Sequence, residues 1–125
     1  MLVVITKILG TVIVIGACVF AALYMLKTIE NPSSEFATYA EMEASGLMEA
    51  RWIPKIIPKS AFEISETHNV DTNIVRISFR FSPKDISIAE SECRSESVKS
   101  MNLVFKCTEG ILTLTNDGHG YFTSE

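Results

Sequence analysis

The longest apolar run of the chain lies at its amino end. Between Ile8 and Leu26 there is no charged residue, and few side chains carry a polar group. A helix needs about 20 apolar residues to cross a hydrocarbon core of about 30 Å, and in lipid it satisfies its own backbone hydrogen bonds. The pattern therefore predicts one transmembrane helix within residues 1–27, with the lipid bilayer as its partner.

The residues around Cys18 allow a second interpretation of this run. Ile15-Gly16-Ala17-Cys18 resembles a bacterial lipobox, in which case the mature protein would be a structural lipoprotein that begins at a lipidated Cys18. The apolar run continues to Leu26, however, where a mature lipoprotein has a polar tether. It is also longer than the apolar region of a secretory signal. An uncleaved anchor is therefore favoured.

A polar connector is predicted after the anchor. Asn31-Pro32-Ser33-Ser34 is typical of a linker, because proline interrupts a helix and short polar side chains favour turns. We assign residues 28–36 to this linker and residues 37–125 to one small domain.

Two short helices are predicted in the domain. Thr38 and Glu41 have the spacing of a capping box, which predicts a helix over residues 39–45. Ser82 followed by Pro83 is typical of a second helix start, with serine as the cap and proline in the first turn.

Strict alternation of apolar and polar residues predicts a β-hairpin over residues 61–81. If His68 pairs with Asn73 across the turn, Phe62 and Ile64 lie together on the buried face of the hairpin.

Alternation recurs in three later segments, at residues 101–107, 111–115 and 121–123, whereas residues 94–100 are polar and are predicted to form a loop. The fold class is therefore α+β, an antiparallel sheet of about five strands with two short helices on one face.

The domain contains two cysteines, Cys93 and Cys107, both predicted to face the core. Such a pair suggests a disulfide, which would close a loop of about 15 residues and contribute roughly 3 kcal/mol in the chain-entropy model. Disulfides persist in oxidising compartments such as the bacterial periplasm. Two buried thiols in a cytosolic domain are the alternative.

The basic residues beside the anchor favour the same location. Lys7 and the free amine precede the apolar run and Lys27 follows it, so the positive-inside bias slightly favours a domain outside the cytoplasm. We therefore expect a bacterial inner-membrane protein with one span and a periplasmic domain.

Charge excludes one class of partner from the sequence-based prediction. The chain has 11 basic and 15 acidic residues, and the two signs are interspersed after the anchor. No basic run is present, so we expect no nucleic-acid partner.

Candidate catalytic residues are few. His68 and Asp71 flank one turn and Asp117 and His119 flank another, so a metal-dependent or hydrolytic ectoenzyme would need those turns to meet. Ser60 with His68 as its base is a conceivable nucleophile, but no Gly-x-Ser-x-Gly sequence or other motif supports it. We therefore expect no enzyme activity, no metal and no cofactor.

Three stretches resemble a family of small bacterial membrane-anchored proteins with no assigned activity. They are Trp52-Ile53-Pro54, Ile57-Pro58-Lys59-Ser60-Ala61 and His68-Asn69-Val70-Asp71-Thr72-Asn73. The resemblance implies an anchored topology and no chemistry.

The function predicted from these patterns is non-enzymatic binding of a membrane-proximal protein. The protein would be an accessory subunit of an envelope complex or an immunity-type inhibitor. The candidate contact residues are Trp52, His68, Asp71 and Asn73. The structural alternatives are a buried lid for Trp52 and a self-bonded turn for the other three.

Overall fold

The structure is a computed structural model that describes residues 1–99 and 102–124. These residues divide into two compact units, Met1–Asn31 and Pro32–Glu125. Met101, which we predicted to begin a strand, lies outside the described residues.

The first unit is a single helix, α1 (Leu2–Glu30). Its 29 residues span about 44 Å at about 1.5 Å per residue, more than the hydrocarbon core of a bilayer. The hydroxyl of Thr11 donates to the Lys7 carbonyl at 2.9 Å, and that of Thr28 donates to the Met25 carbonyl at 2.8 Å. Because these polar side chains bond to the helix itself, α1 is compatible with a lipid environment. The predicted apolar helix is confirmed, and it is long and apolar enough to cross a membrane.

The predicted linker over residues 28–36 is wrong as local structure. Strand β1 (Ser33–Thr38) begins three residues after α1 ends, so only Asn31 and Pro32 lie between the two elements. β1 is a polar edge strand whose residue Glu35 pairs with Ser65 of the next strand. Pairing with the sheet has overridden the turn-like composition of this segment.

The second unit contains an antiparallel sheet of seven strands. After β1 come β2 (Phe62–His68), β3 (Val75–Arg80), β4 (Arg94–Lys99), β5 (Asn102–Cys107), β6 (Gly110–Thr115) and β7 (His119–Thr123). Their order across the sheet is β1-β2-β3-β7-β6-β5-β4. The α+β class is confirmed, but the sequence analysis missed β1 and β4. Both lie at sheet edges, where strands carry polar residues and lack the alternation that identifies a half-buried strand.

The first predicted helix is present as α2 (Tyr39–Ala44). The Glu41 amide donates to the Thr38 hydroxyl at 3.3 Å, and the Glu41 carboxylate accepts from the Ala37 amide at 2.9 Å. Gly46 follows with φ +79°, a left-handed conformation that glycine adopts without strain.

The second helix, α3 (Ser87–Glu92), begins later than the Ser82 and Pro83 signals predict. The Ser82 amide donates to the Ser60 hydroxyl at 3.1 Å, and the Ser60 amide donates to the Asp85 carboxylate at 2.9 Å. The predicted cap, Ser82, is therefore bonded to the chain that precedes β2, and the helix starts after it.

The predicted hairpin is present, but its register is wrong. His68 pairs with Val75 instead of Asn73, and Glu66 pairs with Ile77. The turn is longer than predicted because the Asn69 side chain accepts from the amides of the two residues that follow Val70. A bulge between Phe62 and Ser65 then turns Phe62 outward, where it is 38% exposed.

One face of the sheet is covered and the other is open. α2, α3 and residues 47–60 cover the first face, and their apolar side chains form one buried cluster with those of the strands. We call the other side the open face. Its central residues are Ser65, Thr67, Arg76, Ser78, Arg80, Ile111, Thr113, Tyr121 and Thr123.

The predicted disulfide is confirmed, since Cys93 and Cys107 are bonded. Cys93 follows α3 and Cys107 ends β5, so the bond fixes the helix to the sheet beside the edge strand β4.

We expect Cys93→Ser to lower the melting temperature of the full chain in detergent by roughly 10–20 °C under oxidising conditions. The reason is that the unfolded chain then loses a cross-link over 14 residues of separation. Thermal unfolding followed by circular dichroism is the measurement. In excess reductant the native and variant chains should melt together; an equal difference in both conditions would argue against the bond.

A second prediction concerns the pair that joins β3 to β7, Phe79 opposite Gly120. A β-carbon on Gly120 would overlap the Phe79 ring, so the ring occupies the space that any side chain there would need. We expect Gly120→Ala to destabilise the domain by about 1–3 kcal/mol in urea unfolding, the usual cost of overpacking.

Phe79→Leu should relieve most of that cost, so the double variant should be more stable than the sum of the two single changes allows. Simple additivity would show that the ring does not occupy the position opposite Gly120.

Candidate functional site

A groove of about 920 Å³ opens on the covered side of the sheet. Its floor is apolar and its rim carries charges of both signs. The floor residues include Met48, Ile53, Ile56, Val75, Ile88 and Phe122, and the rim residues are Glu49, Arg51, Lys55, Glu92 and Glu109. The volume lies at the upper end of the usual range for small-molecule pockets.

One wall of the groove is the segment between α2 and β2, residues 47–60. The Trp52 and Ile53 amides both donate to the Leu47 carbonyl, at 2.9 and 3.2 Å. Pro54 and Pro58 are buried, and prolines at this spacing prevent the segment from forming a regular helix. The isoleucines between them fill the core, so the wall is held firmly over the sheet.

Trp52 is half-buried and lines this groove, and its inner side rests on His68. The two rings are stacked, with centroids 4.0 Å apart and an angle of 18° between their planes. His68 is only 8% exposed. Stacked aromatic pairs contribute about 0.5–1.5 kcal/mol beyond their buried area, so the stack holds the orientation of Trp52.

Glu66 lies on β2, two residues before His68, and is fully buried. Its Oε1 is 2.6 Å from His68 Nδ1, while its Oε2 has no hydrogen-bond partner among the described residues. Burial raises the pKa of Glu66, and the hydrogen bond with His68 opposes that rise. A buried carboxyl of this kind is costly, and its effect here is to fix the His68 ring on which Trp52 rests.

The structure brings three of the four predicted contact residues to one end of the sheet. Trp52 and Asn73 line the groove, and His68 supports Trp52 from below. Asp71 instead lies in the exposed turn, where its amide donates to the Asn69 side chain at 3.1 Å.

Glu66 was missed by the sequence analysis, although the signal was present. Continuing the alternation from Ile64 places Glu66 and His68 on the buried face, in agreement with their pairing with β3. A charged residue at such a position is unusual and could have been noted for that reason.

The residues of the alternative metal site lie apart. His68 pairs with Val75 at one end of β3, and His119 pairs with Arg80 at the other end. Five residues of strand separate these positions by about 17 Å, and Asp71 and Asp117 lie in the turns beyond them.

Local hydrogen bonds explain the polar residues of the turn that contains Asp117. The Thr115 hydroxyl donates to the Asp117 carboxylate, and this bond lowers the pKa of Asp117. Ser60 precedes the first residue of β2, at the far end of that strand from His68. Among the described residues no cluster of three or more histidine, cysteine or acidic side chains could hold a metal ion.

Residues 30–80 match the family model of the YbbD head domain. The matched span runs from the end of α1 to the end of β3, so it contains the stack, Glu66 and Asn73. It supports the predicted resemblance to a bacterial family, and α3 and strands β4 to β7 lie outside it. No curated protein and no solved structure matches the chain.

The raised pKa of Glu66 leads to a prediction about stability and pH. The folded domain holds the Glu66 proton at pH values where the unfolded chain has lost it, so the stability from this group falls as the pH rises through the folded pKa. Glu66→Gln removes that dependence. We therefore expect the melting temperature of the variant, relative to that of the native chain, to increase as the pH rises from about 4 to 8.

Glu63→Gln is the matched control, since Glu63 is exposed on the same strand. The opposite trend, in which the melting temperature of the native chain increases relative to that of Glu66→Gln as the pH rises, would mean that an ionised Glu66 stabilises the site.

Proposed function

We propose that this is a non-enzymatic, single-pass protein of a bacterial inner membrane whose periplasmic domain binds a membrane-proximal protein through the groove beside Trp52. The observation that carries the proposal is the half-buried Trp52, held over an apolar groove by a buried histidine and glutamate. Its biological role would be that of an accessory subunit of an envelope complex or of an immunity-type inhibitor.

The composition of the groove fits a protein partner. Protein interfaces have an apolar centre and a polar rim, and their binding energy is concentrated in a few residues, among which tryptophan is enriched. Trp52 lies against the apolar floor, and Lys55 and Glu92 belong to the mixed rim. A partner segment with an apolar side chain between charged ones would complement both parts.

Preorganisation supports the same conclusion. A tryptophan that orders only on binding reduces affinity, because side-chain freedom is lost at that moment. Here the stack on His68 fixes the Trp52 ring in the free protein. The buried Glu66 carboxyl in turn fixes His68, so the buried Glu66–His68 pair would serve to orient Trp52.

Three features support the proposed location. The apolar helix α1 can cross a membrane, the disulfide suits an oxidising compartment, and the basic residues beside the helix favour a domain outside the cytoplasm. An anchor of this kind raises the effective concentration of the domain for partners at the same membrane.

Photo-crosslinking in the native host tests the binding function. A benzophenone amino acid in place of Lys55, on the groove rim, should give a discrete protein adduct that mass spectrometry identifies. Trp52→Ala should weaken binding by about 30-fold or more, the effect of losing an interface hot spot of about 2 kcal/mol, and the adduct should disappear. Trp52→Phe, which keeps an aromatic ring over His68, should retain most of it.

Lys84 provides the matched control position, because it is exposed in the turn before α3 and is not part of the groove lining. Adducts of equal yield from positions 55 and 84, or an adduct that survives Trp52→Ala in a folded variant, would contradict the proposal.

A further inference from the structure

The fold places basic residues together on the open face. Arg76 and Arg80 lie on β3, Arg94 on β4 and Lys106 on β5, and the strand pairing directs all four to this side. They are four of the nine basic residues between Pro32 and Glu125, where there are 14 acidic residues. Cations that lie far apart in the sequence are therefore brought to one side of the sheet.

Fewer acidic residues than cations lie among these positions. Glu35 on β1 pairs with Ser65 and so shares the open face, Glu63 lies 3.9 Å from Arg80, and Glu96 is exposed at the bulge of β4, two residues from Arg94. Many others lie in elements outside it, among them α2, α3 and the groove rim. The unit is acidic as a whole but presents one basic side.

A shallow depression of about 310 Å³ lies at the centre of the open face, with Arg76 on its lining. The other polar groups that line it are the hydroxyls of Ser65, Thr67, Ser78, Thr113, Tyr121 and Thr123. Among the described residues Arg76 forms no ion pair, whereas Arg80 contacts Glu63 and lies over the Phe62 ring. An unpaired guanidinium surrounded by hydroxyl donors suits a phosphate group.

We propose that the open face binds anionic phospholipid headgroups, with the depression around Arg76 accepting the phosphate. The probe that represents them is phosphatidylglycerol in a bilayer. This site is separate from the groove, so the inference goes beyond the proposed function and does not depend on it.

Electrostatics favours a lipid surface over a second copy of the chain. Two basic faces repel each other, which disfavours a symmetric dimer through this surface. An anionic bilayer attracts the basic side of the domain and repels its acidic remainder, so both parts of the charge distribution favour the same orientation. α1 is able to hold the domain near such a surface permanently.

The exposed aromatic residues fit the same occupant. Tyr121 is 52% exposed at the centre of the open face, and Phe62 is 38% exposed beneath Arg80. Tyrosine is enriched at membrane interfaces because its ring is apolar and its hydroxyl is polar.

Fluorescence quenching by lipids tests the proposal on the full chain. Trp52 is the only native tryptophan and lies on the covered side, so Tyr121→Trp combined with Trp52→Phe moves the single reporter to the open face. The chains are placed in nanodiscs with a fixed fraction of brominated phosphatidylcholine. The remaining lipid is either phosphatidylcholine or phosphatidylglycerol, so only the headgroup charge differs.

We expect phosphatidylglycerol to increase quenching at position 121, and about 0.5 M NaCl to remove the increase by screening. The native reporter at Trp52 should show no such increase. If the double variant does not fold, Tyr121→Trp in the native background gives the same result after subtraction of the Trp52 signal.

Arg76→Gln should lower the equilibrium constant of docking about fivefold, the usual effect of one interfacial cation. Lys59→Gln, which removes an exposed cation that lines neither the groove nor the depression, should leave it unchanged. Equal quenching at position 121 in the two lipids would overturn the proposal and would leave an acidic protein surface as the occupant to consider. So would a headgroup effect that Arg76→Gln does not reduce.

Discussion

The pairing of β3 with β7 joins the two halves of the sheet, and both the groove and the open face depend on it. Strands β1 to β3 form one half and β4 to β7 form the other, and among the described strands the β3–β7 ladder is the one that connects them. The ladder is tight at its centre because the Phe79 ring lies where a side chain at position 120 would be. The groove takes Val75 from one half and Phe122 from the other, and the depression around Arg76 also spans both. Without this contact the domain would keep two small sheets and lose both surfaces.

A second constraint lies inside the first half. Burying a carboxyl costs free energy unless its polar atoms are satisfied, and Glu66 has one oxygen without a partner among the described residues. A purely apolar residue at position 66 would remove that cost but would not hold the His68 ring by a hydrogen bond. The cost of burying Glu66 thus accompanies a fixed orientation of Trp52; under the proposed function, this stability cost would serve a binding surface.

The sequence was sufficient for the features with local causes. The apolar run, the capping box of α2 and the disulfide partners each depend on residues close in sequence or on composition, and all three are confirmed. The edge strands and the hairpin register depend on long-range pairing and on one side-chain turn at Asn69, which no periodicity records. The stack of Trp52 on His68 joins residues from a loop and a strand, so it required the fold.

Charges of both signs that alternate along a sequence can still produce a basic surface on one face of a sheet. In a strand, alternate residues share a face, so Arg76 and Arg80 of β3 lie on the same side with Ser78 between them, although Ile77 and Phe79 are apolar. Strand pairing places Lys106 of β5 on that side as well. Because Val75 and Phe122 point from the same sheet into the groove, the two surfaces lie on opposite sides of one rigid layer. A lipid headgroup at Arg76 and a protein at Trp52 would therefore not compete for space, and binding of the open face to the bilayer would leave the groove directed toward arriving partners.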